Sequence, residues 1–220
     1  MPDRTALLLG ATGLVGRHAL RLLADDGRWS RVVTLDRRPV PAASAHHESH
    51  VVDFDRLDRH ADLLACDDLV CCLGTTMKKA GSEAAFRRVD LEIPAEAARL
   101  AHDRGASQVA LVSALGADPD SRIFYNRTKG EAEAAVRAVG FGAVQIFRPS
   151  LLTGDRDEFR LGERVGEAAL HAASPLLRGP LADLRPTPAA AVARAIVAVA
   201  GRRPTGVRVY GPRQIRSYGG

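Results

Sequence analysis

A tyrosine and a lysine stand four residues apart in a stretch of the sequence that favours a helix. Tyr125 and Lys129 occur in the run Tyr-Asn-Arg-Thr-Lys, and helix-forming residues continue to Val139. A spacing of four places two side chains on one face of a helix, one turn apart. Lys129 is one of three lysines among 31 basic residues, and a compact ammonium beside a phenol suits acid–base chemistry. The pair predicts proton transfer, with Tyr125 as general acid and Lys129 stabilising its phenolate.

A glycine-rich turn near the N-terminus gives a second chemical signal. Gly10, Gly13 and Gly16 follow an apolar run and precede a helical pattern. In a strand–turn–helix unit such glycines allow a tight turn, close approach of a pyrophosphate and close helix packing. The first N–H groups of the helix then attract the anion. The spacing is one residue wider than G-x-G-x-x-G, and a turn that binds nothing is the alternative. The predicted phosphate site comprises Gly10, Thr12, Gly13, Leu14, Val15 and Gly16.

The end of the second predicted strand gives opposing signals about the cofactor. Asp36 lies 20 residues after Gly16, where a carboxylate would accept hydrogen bonds from the adenosine ribose of NAD. Arg37 and Arg38 follow directly, and a guanidinium there can bind the 2′-phosphate of NADP. These residues leave both NAD and NADP open.

Two further strand ends are expected to border the cofactor. Asp53 and Phe54 close the third predicted strand, where a side chain can reach the adenine amine. Leu73, Gly74 and Thr75 close the fourth, where small residues let the ribose and phosphates pass. Solvated loop positions are the alternative in both places.

Short apolar runs alternate with longer helical patterns along the chain. Such strands are typical of a parallel sheet covered by helices on both faces. We therefore predict an α/β fold, a Rossmann-like doubly wound parallel sheet of about six or seven strands with a very small C-terminal substrate lobe. Residues 1–220 would form one NAD(P)-binding Rossmann domain, with 150–186 as the inserted lobe. The predicted strands are 5–9, 31–36, 51–52, 68–73, 107–113, 143–148 and 207–210, and the predicted helices are 14–26, 55–64, 82–104 with a bend at Pro94, 125–139 and 188–200.

Composition restricts the class of protein and its partners. The 220 residues are 46% hydrophobic and 26% charged, which is ordinary for a soluble domain with a sizeable core. No apolar run approaches the ~20 residues of a membrane span. The net charge of +5 is spread along the chain with few aromatics, which argues against nucleic acid. The odd number of cysteines, Cys66, Cys71 and Cys72, favours reduced thiols and a cytoplasmic protein.

Two other groups of residues are interpreted without a functional role. His46, His47 and His50 lie between prolines and a strand. Helical ligand spacing is therefore disfavoured, so a surface loop and no metal site are expected. The apolar residues and arginines between 155 and about 185 are expected to provide packing and a solvated helix face.

Together these motifs resemble the short-chain dehydrogenase/reductase superfamily in its atypical branch, in particular the Tat-interacting-protein-like oxidoreductases. The resemblance implies a Rossmann fold that binds NADP or NAD, slightly favours NADP, and makes Tyr125 and Lys129 the active pair. Arg148 and Pro149, after the sixth strand, are expected beside the nicotinamide. The segments that carry the resemblance are 10–16, 71–76, 79–81, 88–90, 113–118, 125–131 and 147–149.

The resemblance also implies a serine or threonine that holds the substrate oxygen near the end of the fifth strand. Ser113 lies there, twelve residues before Tyr125. However, Ala114 and Leu115 follow where relatives often carry polar residues. A hydroxyl that caps local backbone is the alternative.

The sequence thus predicts an NAD(P)-dependent oxidoreductase that transfers hydride to or from a small carbonyl or alcohol substrate. An epimerase or dehydratase using the same pair belongs to this hypothesis. The alternative is a non-catalytic NAD(P)-binding sensor or regulatory interaction protein, which Leu115 and the small lobe favour. A monomer or homodimer without nucleic-acid or membrane partners is expected.

Overall fold

The computed structural model describes residues 4–154 and 179–219, and a seven-stranded parallel sheet forms its centre. Strands β2 and β3 extend the sheet on one side of β1, and β4, β5, β6 and β9 extend it on the other. A separate pair joins β7 and β8. The doubly wound parallel sheet predicted from the sequence is confirmed. The strands are β1 Thr5–Leu9, β2 Arg31–Asp36, β3 His47–Val51, β4 Asp68–Cys71, β5 Gln108–Val112, β6 Ala143–Phe147, β7 Leu152–Thr153, β8 Thr187–Pro188 and β9 Gly206–Tyr210.

Helices cover both faces of the sheet. One face packs against α4, α5 and a 3-10 segment, and the other against α1 and α6. The helices are α1 Gly16–Asp25, α2 Met77–Ala80, α3 Glu83–Arg87, α4 Ile93–Asp103, α5 Phe124–Ala138, α6 Ala189–Arg202 and α7 Pro212–Ser217, with 3-10 segments Phe54–Leu64 and Gly179–Leu184 and a π-helical turn Arg88–Glu92.

The central strands contribute side chains to two hydrophobic cores, one on each face of the sheet. In β1, Leu7 and Leu9 face one core while Ala6 and Leu8 face the other. All four side chains are fully buried, because successive residues of a strand point to opposite faces of a sheet that has no solvent-facing side here. Each buried leucine stabilises the fold by about 2 kcal/mol. This double burial explains why the strands read as continuous apolar runs.

The histidine region departs from the prediction. The third strand begins at His47 rather than at Val51, so His47 and His50 lie in a strand and the expected surface loop is wrong for them. The buried His47 contacts the hydroxyl of Thr34 at 3.1 Å and accepts the Ala43 N–H at 3.1 Å. Because β3 is an edge strand of mainly polar residues, an apolar pattern could not reveal it. Within the described residues, no group of three or more histidine, cysteine or acidic side chains could hold a metal ion.

The long helical region after β4 breaks earlier than predicted. The irregularity falls at the π-helical turn 88–92 and not at Pro94. Pro94 occupies the first turn of α4, where a missing N–H breaks no helical hydrogen bond. Helix α1 begins at Gly16, not residue 14, because the glycine-rich turn continues to Val15. The two-residue strands β7 and β8 and the short helices α2 and α7 were not predicted, since such short elements carry no periodicity.

The structure bears on three other expectations, about the cysteines, the membrane and the substrate lobe. Cys66, Cys71 and Cys72 are free cysteines. None of the helices in the described ranges combines the length and apolar character needed to cross a membrane. Most of the predicted lobe, 155–178, lies outside the described residues, and the single-domain division stays a prediction.

Candidate active site

The glycine-rich turn has the conformation that its glycines allow. Gly10 has φ of +81°, and a Cβ there would lie 2.8 Å from the Cys72 carbonyl oxygen. A Cβ on Gly16 would overlap the backbone of Gly10. No side chain caps the start of α1, where Val15 holds the N-cap position. The turn therefore brings uncapped helix N–H groups and bare backbone to the carboxyl edge of the sheet, which is the arrangement that binds pyrophosphates.

Asp36 lies against this turn at the end of β2. Its side chain is buried, and one carboxylate oxygen, Oδ2, has no hydrogen-bond partner. Burial raises the pKa of Asp36 to about 6, although the backbone N–H groups of Thr12 and Ala11 act to lower it. An orphaned buried acceptor beside a phosphate-binding turn fits a ribose hydroxyl, which would donate to it.

A cleft of about 580 Å³ opens at the carboxyl edge of the sheet. It brings together eleven of the predicted cofactor residues, and Lys79 and Arg88 add two cations that were not predicted. The other seven residues predicted to bind the cofactor are outside its lining: Leu14, Val15, Gly16, Tyr125, Lys129, Arg148 and Pro149. The predicted residues that line the cleft are Gly10, Thr12, Gly13, Asp36, Arg37, Arg38, Asp53, Phe54, Leu73, Gly74 and Thr75.

Arg88 lines this cleft and is held in place by two hydrogen bonds. Its guanidinium donates to the Phe54 carbonyl at 2.5 Å and to the Asp55 carboxylate at 3.1 Å. The π-helical turn and the start of the 3-10 segment Phe54–Leu64 are therefore joined by charge-assisted hydrogen bonds. Asp53 itself accepts the N–H of Asp55 at 2.9 Å, which orients the start of the 3-10 segment.

Tyr125 and Lys129 project from one face of α5, as predicted from their spacing. Tyr125 is 38% exposed and Lys129 is 6% exposed. The Tyr125 ring packs on the buried Phe86 ring of α3, with centroids 5.6 Å apart. Gly130 allows α5 to lie directly on the backbone of Asp118 and Pro119, because a Cβ there would overlap it. The phenol thus reaches solvent at the surface while the amine lies inside.

The Lys129 ammonium contacts a carboxylate that the sequence analysis gave no role. Its Nζ lies 2.7 Å from Oδ1 of the buried Asp90. Asp90 Oδ2 accepts the N–H of Thr75 at 2.8 Å, so the ion pair adjoins the strand end that lines the cleft. Burial by itself would lower the pKa of Lys129, but Asp90 and then Tyr125 outweigh it and raise that pKa.

The Ser113 side chain is hydrogen-bonded within a second cluster, which it forms with Glu133 and Arg148. Its hydroxyl donates to Oε1 of Glu133 at 2.6 Å. Arg148 donates to both oxygens of Glu133, at 2.8 and 2.7 Å, which holds the pKa of Arg148 above its usual range. Arg137 approaches the same carboxylate at 3.2 Å. The Ser113 proton and the Arg148 guanidinium thus both point to Glu133.

The sequence contained one overlooked signal for this cluster. Glu133 follows Lys129 by four residues and Tyr125 by eight, so all three lie along the same helix face. The helical spacing that singled out the first pair would have extended to Glu133. Asp90 offered no such signal, because its partners come from other parts of the chain.

Comparison with known proteins places this geometry in a family. Residues 6–159 match the model of the "NAD dependent epimerase/dehydratase family". The chain belongs to this family. The predicted membership of the atypical short-chain dehydrogenase/reductase superfamily is thereby confirmed.

Two named relatives of this epimerase/dehydratase member show how far the similarity extends. Protein HTATIP2 of Rattus norvegicus is 36% identical over 167 residues, which cover 74% of this chain and 69% of that protein. The protein "fmp52, mitochondrial" of Aspergillus clavatus is 36% identical over 163 residues, 71% of this chain and 70% of that one.

Solved structures share the fold of this family member. "MoeE5 in complex with UDP-glucose and NAD" superposes with a TM-score of 0.70 at 20% identity, covering 97% of this chain and 80% of that chain. Uronate dehydrogenase from Agrobacterium tumefaciens gives a TM-score of 0.68 at 17% identity, with 96% and 76% covered.

Proposed function

We propose that this epimerase/dehydratase-family protein is an NAD(P)-dependent oxidoreductase in which Tyr125 and Lys129 handle the proton. The observation that carries the proposal is the continuity of the site. The glycine-rich turn and Thr75 line one cleft, and Thr75 is hydrogen-bonded to the carboxylate that holds Lys129. A dinucleotide bound by the turn would extend along this strand end towards the pair.

The residues present fit a dinucleotide. The turn of Gly10, Gly13 and Gly16 offers backbone that added Cβ atoms would block. The unpartnered Asp36 Oδ2 offers an acceptor for a ribose hydroxyl. Gly74 lines the cleft after β4 and carries no side chain that would fill it.

The chain's own residues supply placement and a proton. When bound, the nicotinamide would supply or accept the hydride. Tyr125, exposed at the surface, would donate its phenolic proton to a carbonyl oxygen in the reductive direction. Lys129 would stabilise the phenolate that remains, because opposite charges one helical turn apart attract. A small carbonyl or alcohol is the substrate class that this chemistry serves.

We favour NADP over NAD for an electrostatic reason. Arg37 and Arg38 are exposed at the cleft, where guanidinium groups can form bidentate contacts with a 2′-phosphate. Asp36 would oppose that phosphate by ~1 kcal/mol or more if fully charged. With a pKa of about 6, Asp36 is still mostly charged at neutral pH, so this repulsion remains there. Two guanidinium groups that can each pair with the phosphate outweigh this single repulsion.

A fluorescence titration tests the proposal. NADPH and NADH are added to the purified protein while nicotinamide emission is followed. We expect both nucleotides to bind saturably and NADPH to bind more tightly. Arg37→Ala should lower the affinity for NADPH more than the affinity for NADH. Arg31→Ala is the matched control, because Arg31 begins β2 and pairs with Glu48 at 2.6 Å, away from the cleft lining. Absence of binding by either nucleotide would refute the proposed function.

One observation favours a second candidate, a non-catalytic NAD(P) sensor. Ser113, the residue predicted to hold the substrate oxygen, already donates its hydroxyl proton to Glu133. A hydroxyl has one proton, so it cannot donate to a substrate at the same time. Tight nucleotide binding without turnover of any carbonyl or alcohol in a substrate screen would support the sensor.

The predicted cytoplasmic location stays a proposal. It rests on the free cysteines, while the fmp52 relatives carry "mitochondrial" in their names. Fractionation of cells that express the chain would distinguish the two compartments.

A further inference from the structure

The excess positive charge of the chain lies in its C-terminal part rather than along its whole length. Of the 31 basic and 26 acidic residues, 179–220 contains seven arginines and a single acid, Asp183. The preceding residues are close to balanced, with 24 basic against 25 acidic residues. The last part of the sequence includes α6, β9 and α7. A surface with such an excess of one sign attracts partners of the opposite charge.

Two of these arginines lie together beside two tyrosines. Arg202 ends α6 and Arg208 lies in β9, both are exposed, and neither forms an ion pair with a residue that the structure describes. Arg202 lies 5.9 Å from the centroid of the Tyr218 ring. Burial and Tyr218 raise the pKa of Tyr210, while the nearby charges of Arg208 and Arg202 act to lower it. These four residues form one surface, the arginine–tyrosine patch.

Strand β9 forms an edge of the sheet and pairs with β6. The backbone of Gly206 and that of Tyr210 bond towards the β6 side, at 2.8 and 2.9 Å. Successive residues of a strand direct their N–H and C=O groups to opposite sides. The groups of Val207 and Val209 therefore point to the open side, where they can pair with another strand.

The two faces of β9 differ in character along this edge. Val207 and Val209 stand opposite Val144 and Ile146 of β6, which belong to the core beneath α5. The two valines are nevertheless 53% and 39% exposed. Arg208 lies between them in sequence and so points to the other face, as Tyr210 does. A strand added here would meet apolar side chains on one face and cations on the other.

We propose that the open edge of β9 binds an extended segment of a partner protein in which acidic and apolar residues alternate. Main-chain hydrogen bonds to Val207 and Val209 would hold this segment as a further strand, and its alternate side chains would give specificity. The acidic side chains would meet the arginine–tyrosine patch, and the apolar ones would cover the valines. A nucleic acid has no peptide groups that could continue the sheet, so the open edge favours a peptide.

Fluorescence anisotropy with a synthetic peptide tests the inference. The probe is a fluorescein-labelled peptide of alternating glutamate and valine, about six residues long, added to the purified protein. We expect saturable binding that weakens as salt is raised. Arg208→Glu should weaken it about tenfold or more, because repulsion replaces attraction. Arg99→Glu is the matched control, since Arg99 is an exposed arginine on α4 and its replacement changes the net charge equally.

N-methylated forms of the same peptide separate strand addition from charge attraction alone. Methyl groups on the glutamate nitrogens block one edge of the peptide strand, and methyl groups on the valine nitrogens block the opposite edge. Only one edge can face β9. One methylated peptide should therefore bind at least about tenfold more weakly, and the other should bind like the unmethylated peptide.

The inference is overturned if the two methylated peptides bind alike, or if Arg208→Glu binds the unmethylated peptide as well as Arg99→Glu does. Tighter binding of a fluorescein-labelled single-stranded DNA than of the peptide, at the same salt, would also overturn it. So would a dimer in sedimentation that Arg208→Glu converts to a monomer, because a second copy would then occupy the edge. None of these measurements needs a nucleotide cofactor or a substrate.

Discussion

Replacing Asp36 with asparagine is expected to make the free energy of unfolding less dependent on pH. Asp36 is buried beside the glycine-rich turn, with its Oδ2 unpartnered, and its pKa is raised from 3.8 to about 6 because burial disfavours the charged form. The folded protein therefore binds this proton more tightly than the unfolded chain. Stability that comes from protonated Asp36 is fully present below about pH 4 and is lost as the pH rises to about 6.

The size of the effect follows from the shift. A rise from 3.8 to about 6 is about two units, and each unit corresponds to about 1.4 kcal/mol. Between about pH 4 and pH 6, the free energy of unfolding of the unmodified protein should thus fall by up to about 3 kcal/mol relative to that of Asp36→Asn. Above about pH 6 the difference between the two proteins should stay constant. The difference between the two curves is the test, since the asparagine amide introduces a constant cost of its own.

Urea unfolding without nucleotide, from about pH 4 to pH 8, measures this difference. Asp25→Asn is the control, because Asp25 is an exposed carboxylate at the end of α1, and it should leave the pH dependence of the unmodified protein intact. Parallel curves for Asp36→Asn and the unmodified protein would show that Asp36 is not destabilised by burial. The ribose assignment, which depends on that enclosed carboxylate, would then lose its support.

Three further outcomes are expected. Tyr125→Phe should abolish turnover and leave nucleotide affinity nearly unchanged, by rate assay and nicotinamide fluorescence; unchanged turnover would remove Tyr125 from the mechanism. Glu133→Ala should lower the free energy of unfolding in urea by about 3–5 kcal/mol, because it leaves the Arg148 charge without its partner; a loss below about 1 kcal/mol, the worth of an exposed pair, would contradict the buried cluster. Gly10→Ala should lower the free energy of unfolding by at least about 2 kcal/mol, because of its left-handed φ and the contact with the Cys72 carbonyl. It should also weaken nucleotide binding. Wild-type binding and stability in this variant would exclude the proposed turn geometry.

The sequence was sufficient for the fold wherever one local pattern determined the structure. The central strands β1, β4, β5 and β6 are buried on both faces, so each is an unbroken apolar run. The glycine spacing located the first turn, and the helical spacing located Tyr125 and Lys129. Most of edge strand β3 was not predicted, because most of its residues are polar and face solvent. Its buried His47 is not followed by further buried residues at alternate positions, so no strand pattern is visible in the sequence.

The electrostatic partners in the site could not be predicted in the same way. Asp90 lies buried in a π-helical turn where it meets Lys129, and such a turn has no sequence period. The partner of Ser113 depends on how α5 packs against β5 and β6, which is a tertiary property. Sequence reasoning found the residues that could do chemistry, and the structure was needed to find the charges that neutralise them.

Helix α5 is attached to the sheet at both strands beneath it, through the Glu133 contacts with Ser113 and Arg148. The backbone amides around Glu133 should therefore exchange with deuterium more slowly than those at the ends of the helix. The phenol and amine carried by this helix would then keep their position relative to the sheet. If the protein accommodates bound molecules of different shape, the segments that move to do so would then be other than this helix.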